Sequence, residues 1–360
     1  MEQQKFEQLC QKLKNKTFHH KHVQYAKEII SPPTRNDLTP IDISQESIQA
    51  GEKAIQNGEV GLCILNGGMA TRFGGVVKGV VEVTPGLSFI GWKIKLIQEF
   101  EKKFNATIPL FIMCSFQTIE KTKEHLEEFN YFDKDKNTIF IFEQHKIPRL
   151  LPDSLEIAKY KNGESAYTAP GHGDFIASFK EEMLKKFTKI GGKYIHISNV
   201  DNLGANIDPA VIGTHVQNKA DMTTEVAAKN PGDKGGAPAK INGEMQVVEQ
   251  FQFPDSFDQD TIKVFNTNSF IINTDYLEND FNLPVFEVHK KDKEIGEVIQ
   301  FESLLGHATI RETLTSLTEV EKKKIKYCFL EVPRDDRFWP VKTRNDLPHI
   351  QDLIKKKYNI

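Results

Sequence analysis

The chain has 360 residues, 39% apolar and 27% charged, which suffices for a sizeable core and gives no compositional reason for long disorder. Its formal net charge of -3 excludes a nucleic-acid coat or a membrane-surface protein, since either needs a basic excess; any phosphate site must be local. The four cysteines are far apart and show no zinc or redox spacing, so a reduced, cytoplasmic setting is the expectation.

The first residues, Met1 to Phe18, are polar and charged and read as neither a secretory signal nor an anchor. From Phe6 to Gly58 the spacing is helical, broken at Pro32-Pro33 and Pro40. This predicts two or three helices, residues 1–58, that wrap a core built by residues 59–360. From Val60 onward, short β-rich runs alternate with amphipathic stretches, the pattern of an α/β fold whose mostly parallel sheet carries helices on both faces. The predicted strands are Gly61–Leu65, Leu110–Cys114, Ile139–Glu143, Tyr194–Asn199, Thr223–Lys229, Phe265–Ile272 and Tyr327–Val332. Trp92, Leu96, Ile97 and Phe100 recur at helical spacing and are expected in the core. The charged run Lys290–Glu297 reads as an exposed loop or helix face, and Leu347–Tyr358 as a short basic helix.

The apolar run Cys63-Ile64-Leu65 leads straight into Asn66-Gly67-Gly68, and sheets of this class bind ligands beyond the carboxyl ends of their strands. Two adjacent glycines let backbone N–H groups approach a phosphate or a base edge, and Thr71, Arg72 and Lys78 add a hydroxyl and two cations. The turn has neither the dinucleotide glycine fingerprint nor a P-loop, and by itself it equally fits a tight strand-to-helix connection. Asp201, in Asn199-Val200-Asp201-Asn202, follows another strand and suits Mg²⁺, which takes oxygen ligands from one or two carboxylates plus substrate phosphates. An Asx turn there is the competing reading.

Leu65-Asn66-Gly67-Gly68-x-x-Thr71-Arg72-x-Gly74 with Lys78 resembles the signature of the UDP-sugar pyrophosphorylases, in the form found in UTP–glucose-1-phosphate uridylyltransferases. Ala70 departs from the family, which usually has a glycine there. The later segments Gln144, Pro170-Gly171-His172-Gly173-Asp174, Asn199 to Gly204, Lys234-Gly235-Gly236, Val247-Val248-Glu249, Phe265-Asn266-Thr267-Asn268 and Val332 to Thr343 resemble its other motifs in order, from about Val60 to Asp346.

That resemblance implies a three-layer α/β/α, Rossmann-like nucleotide-diphospho-sugar transferase fold with a mixed, mostly parallel sheet, and without the C-terminal β-helix of longer relatives. It implies nucleotide contacts from Leu65, Asn66, Gly67, Gly68, Gln144 and Gly171, with Gln144 reading uracil. Sugar-phosphate contacts fall to His172, Asn199, Gly235, Glu249, Asn266 and Lys342, catalytic cations to Arg72, Lys78 and Lys342, and the metal, Mg²⁺, to Asp201. The implied partners are UTP, glucose 1-phosphate, UDP-glucose and pyrophosphate, with no nucleic acid and no membrane. An N-acetylglucosamine or broad-specificity UDP-sugar pyrophosphorylase, or a non-catalytic UDP-sugar-binding protein, are the alternatives left open.

Overall fold

The computed structural model describes residues 3–14, 24–70, 73–230, 233 and 235–358. Eight strands form the central sheet: β1 Thr39–Pro40, β2 Val60–Asn66, β3 Leu110–Cys114, β4 Ile139–Glu143, β5 Tyr194–Asn199, β6 Met222–Ala228, β7 Val264–Asn273 and β8 Tyr327–Glu331. Their order is β1-β8-β6-β7-β5-β2-β3-β4. β7 runs antiparallel to both neighbours, β5 and β6, and every other pairing is parallel.

Both faces of the sheet are buried, and period two along each strand divides the core. Leu62, Ile64, Leu110 and Ile112 face one layer, while Cys63, Leu65, Phe111 and Met113 face the other. The first layer is made by helices α1 Gln45–Gln56, α2 Phe89–Phe104, α3 Ile119–Glu128, α4 Pro209–Asn218 and α5 Leu347–Tyr358. The second is carried mainly by the continuous helical stretch 175–189, whose Phe175, Phe179 and Phe187 pack against Phe111 and Phe142. In α2 the inward positions include Trp92, Leu96 and Ile97, with Phe100 packed against them, as the spacing predicts.

Two parts differ from the sequence expectation. The segment before residue 58 is not only helical: Ile30–Ser31 pairs with Lys240 and Ile241, and β1 forms the edge of the main sheet beside β8. Its helix α1 meets α4 backbone to backbone, because a Cβ on Gly51 would overlap Pro209 O and one on Gly213 would overlap Ser47 O. The run 290–297 is a hairpin tip, not a separate loop or helix face. Strands Val285–Asp292 and Gly296–Ser303 pair antiparallel through it, and a second hairpin joins Ala237–Ile241 to Glu244–Val248. Neither hairpin shows a regular alternation or a long apolar run: one strand reads Ala-Pro-Ala-Lys-Ile and another ends in His-Lys-Lys-Asp, so a search for strand patterns passes over them. Among the described residues no helix is long and apolar enough to cross a membrane.

Candidate active site

β2 to β5 are parallel, so their carboxyl ends share one edge, and each leads into a residue of the site: Gly67 after β2, Ser115 after β3, Gln144 after β4 and Asp201 after β5. Gln144 is only 5% exposed. Its backbone N–H donates to Cys114 O at 2.7 Å, and its Nε2 donates to Gly171 O at 2.9 Å. Its Oε1 lies over the Cα of Gly67, where any Cβ would overlap it. Ser115 Oγ closes the floor by donating to Gly67 O at 2.8 Å. Gly171 has φ 82°, and a Cβ there would stand 2.5 Å from Ser303 O. The carboxamide is therefore held rigidly among three loops, with one Nε2 hydrogen free for a ligand carbonyl. Gly68 is exposed and its Cα is unobstructed.

Leu65 and Asn66 serve this floor from behind. The Leu65 side chain belongs to the core and its carbonyl accepts from Val200 N–H at 3.2 Å. Asn66 is 1% exposed: Nδ2 donates to Thr122 Oγ1 at 2.9 Å and Oδ1 accepts from Gly79 N–H at 3.1 Å. The Asn66 side chain is thus turned away from the strand-end edge and engaged on both sides. Its amide ties β2 to α3 and to the turn that carries Lys78, a partnership no local motif reveals.

His172 accepts a hydrogen bond at Nδ1 from Leu305 N–H, 3.1 Å away. A backbone N–H can only donate, so the neutral ring carries its proton on Nε2. Burial pushes its pKa down to about 4. His172 therefore presents a neutral N–H donor and not a cation. The neighbouring pair is opposite in character: Asp174 accepts from His145 N–H at 2.8 Å and from its Nδ1 at 2.9 Å, and Glu181 lies 3.1 Å from Nε2. Asp174, with Glu181 beyond it, holds the His145 imidazolium above its ordinary range against the opposing effect of burial. This pair locks the residue after Gln144 to the 171–174 turn. Sequence reading missed it, because each member looks like an ordinary turn residue.

At the mouth of the crevice, Lys78 pairs with the Asp201 carboxylate, and the two side chains are 19% and 21% exposed. The segment 337–341 is stitched over this loop: Val341 N–H donates to Asp201 O at 3.1 Å and Trp339 N–H donates to Asn202 Oδ1 at 2.8 Å. Lys342 follows directly, is exposed, and acts through space on Asp233 in the facing loop. Arg72 and Thr71 lie outside the described residues, as does Lys234. A hard divalent cation fits the donors present: one partly exposed carboxylate at the strand-end edge, with no group of three His, Cys, Asp or Glu among the described residues to cage a softer metal.

The loops that carry the residues expected at the sugar converge beyond Asn199. Its Oδ1 accepts from Asn268 Nδ2 at 2.8 Å, and Asn266 Oδ1 accepts from Asn268 N–H at 2.9 Å. Asn199 and Asn266 are thereby oriented with their Nδ2 groups as the remaining donors. Asn268, in the left-handed region at φ 58°, sits where β7 bulges against β6. The glycine that packing requires is Gly236, since a Cβ there would lie 2.9 Å from both Glu249 oxygens; Gly235 has φ 154° and open space around it. Burial lifts the Glu249 carboxyl to about 7, so it supplies either a donor or an acceptor near neutrality.

Known proteins resemble this chain in sequence and in fold. A UTP–glucose-1-phosphate uridylyltransferase from Pyrus pyrifolia is 29% identical over 347 residues, covering 92% of this chain and 69% of the relative. One from Encephalitozoon cuniculi is 32% identical over 302 residues, covering 79% of this chain and 56% of the relative. The solved structure of a UDP-glucose phosphorylase from Trypanosoma brucei superposes with a TM-score of 0.74 at 25% identity, covering 94% of this chain and 73% of that one. The family model for UTP–glucose-1-phosphate uridylyltransferase matches residues 3–357, and with the strand-end constellation in place the chain belongs to that family.

Proposed function

We propose that this chain transfers the uridylyl group of UTP to glucose 1-phosphate, releasing pyrophosphate and forming UDP-glucose, in a reversible reaction. The observation that carries this reading is the Gln144 carboxamide, locked between Gly67 and Gly171 at the strand ends with the Lys78–Asp201 pair on the same crest. An amide with one fixed end suits the alternating donor and acceptor edge of uracil.

The attacking group is the sugar phosphate, already an anion at neutral pH, so no side-chain base is required and positioning with charge neutralisation remains. Lys78 faces the departing phosphates. Lys342, brought over Asp201 by the 337–341 segment, faces the two reacting phosphates, and Arg72 adds charge from the glycine turn. Neutral His172 donates to a phosphate oxygen. Asn199, Asn266, Glu249 and the Gly235-Gly236 backbone meet the sugar. Asp201 would hold Mg²⁺, which when bound offsets phosphate charge. We place the protein in the cytoplasm on its four unpaired cysteines.

Pyrophosphate release with Mg²⁺, measured for a panel of nucleotides against a panel of sugar 1-phosphates, tests the reading. UTP with glucose 1-phosphate should be the best pair, and Asp201→Ala or Lys342→Ala should lose roughly a hundredfold in kcat, the scale seen when one transition-state donor is removed. Silence with every pair would leave a UDP-sugar-binding protein. A better rate with N-acetylglucosamine 1-phosphate would move the reading to that sugar.

A further inference from the structure

The mechanism above makes no use of Lys93, a lysine with no exposure in the second turn of α2, between Trp92 and Ile94. Its Nζ donates to the carbonyls of Asn202, at 2.6 Å, and Ala205, and lies 3.5 Å from Ser198 Oγ. It has no hydrogen-bonded carboxylate; Asp201 and Glu225 attract it through space while Arg337 repels it. Burial lowers its pKa to about 7. An unbranched apolar chain would fill this slot without the desolvation of an ammonium, so packing does not account for a lysine here.

Its acceptors do. All three belong to residues 198–205, the turn that presents Asn199 and Asp201. Within that turn the bonds are long: Asn202 N to Asn199 O at 3.2 Å, Ala205 N to Asn202 O at 3.3 Å, Gly204 N to Asn202 Oδ1 at 3.3 Å and Ser198 Oγ to Ala205 O at 3.4 Å. From above it is pinned by the 339–341 segment, through Leu203 N–H to Trp339 O at 3.2 Å and Val341 N–H to Asp201 O at 3.1 Å. From below, Lys93 reaches in from α2 and gathers Ser198, Asn202 and Ala205 on one ammonium. We propose that Lys93 is a positioning residue for uridylyl transfer, holding the 199–205 turn from the core side so that Asn199 and Asp201 meet the sugar phosphate and metal, and setting the height of Lys342 above them. This rests on the uridylyltransferase reading.

The test uses full-length protein and Lys93→Met, with two readouts. In the assay, kcat should fall at least about tenfold, the half-saturating Mg²⁺ concentration should rise, and KM for UTP should stay within about threefold because the Gln144 floor is untouched, tenfold being the step of one good contact. In hydrogen–deuterium exchange, amides of 199–206 should exchange faster while 60–66 and 110–114 keep their protection. The proposal fails if exchange at 199–206 is unchanged, if all three segments loosen together, or if kcat stays near wild type. Should Lys93→Met not fold, Lys93→Gln, which keeps one neutral donor, carries the same measurements. Wild-type protein that is silent with every nucleotide sinks the proposed function alone, and the exchange readout then decides by itself whether Lys93 holds the turn.

Discussion

The two glycines after β2 do different work although they are adjacent. A Cβ on Gly67 overlaps Gln144 Oε1, whereas one on Gly68 meets nothing within 4 Å. Gly67→Ala should therefore displace the carboxamide and raise KM for UTP about tenfold, equivalent to roughly 1.4 kcal/mol, while Gly68→Ala should cost little stability and leave Gln144 in place. Equal kinetic effects from the two substitutions would contradict the packing described. Glu249 makes a pH-dependent prediction. Because burial raises its carboxyl in the folded state to about 7, the associated stability is complete below the unfolded value near 4.5 and is lost as pH rises through 7. Glu249→Gln should match wild type in urea unfolding at pH 4.5 and exceed it at pH 8 by about 2 kcal/mol, discounted for partial exposure, while raising KM for the sugar phosphate. These roles were unevenly legible. The glycine pair and Glu249 stood out as types at motif positions, but the direction in which Asn66 points and the neutral state of His172 came from partners 56 and 133 residues away.

Among elements, β5, β6 and the segment after β8 are joined by a buried ionic cluster. Arg337 donates to both oxygens of Glu225 at 2.9 and 2.6 Å and to Asn206 O at 2.8 Å, and His196 Nε2 lies 3.0 Å from Glu225 Oε1. Desolvation acts to raise the Glu225 pKa, but Arg337 and His196 overcome it and hold the carboxyl at about 2. The cluster fixes the segment that delivers Lys342, which neither β6 nor β8 could orient by strand pairing alone. Arg337→Met should destabilise by about 3–5 kcal/mol in urea unfolding, because it strands the Glu225 charge. Adding Glu225→Met should recover most of the loss. A double variant no better than the single one would show that the charge is not the cause. The strands themselves were legible from their short buried runs, with ends shifted by a residue. The hairpins were not, since their strands mix polar, charged and apolar residues without the regular alternation that marks a half-buried strand.

For the whole molecule, acid is the expected weakness. Burial pushes His215 to about 4 and His307 to about 3, and both are almost without exposure. Unfolded, each would bind a proton near 6.5, so the unfolded chain takes up more protons below that pH and stability falls as pH drops. Between pH 6.5 and 5 each group should account for about 2 kcal/mol, readable as a lower urea midpoint at pH 5 than at pH 7.5. Glu225 adds to the loss below about 4.5. Glu249 works the other way over this range, so the measurement belongs in Glu249→Gln protein, where a flat stability profile from pH 7.5 to 5 would mean that these rings are protonated inside the fold or reached by water.

By itself the sequence determined the α/β class, most strand positions and which chemical groups are candidates for the site, because period, glycine placement and motif order are local properties of a chain. Only the tertiary structure decided that β7 is reversed, that residues before 58 supply an edge strand, and that Lys78 meets Asp201 across 123 residues. It also decided which polar side chains face the crevice and which, like Asn66 and Lys93, are turned inward to hold it. Such contacts depend on strand register and on the packing of distant loops, and on the protonation that burial then imposes, none of which a local pattern encodes.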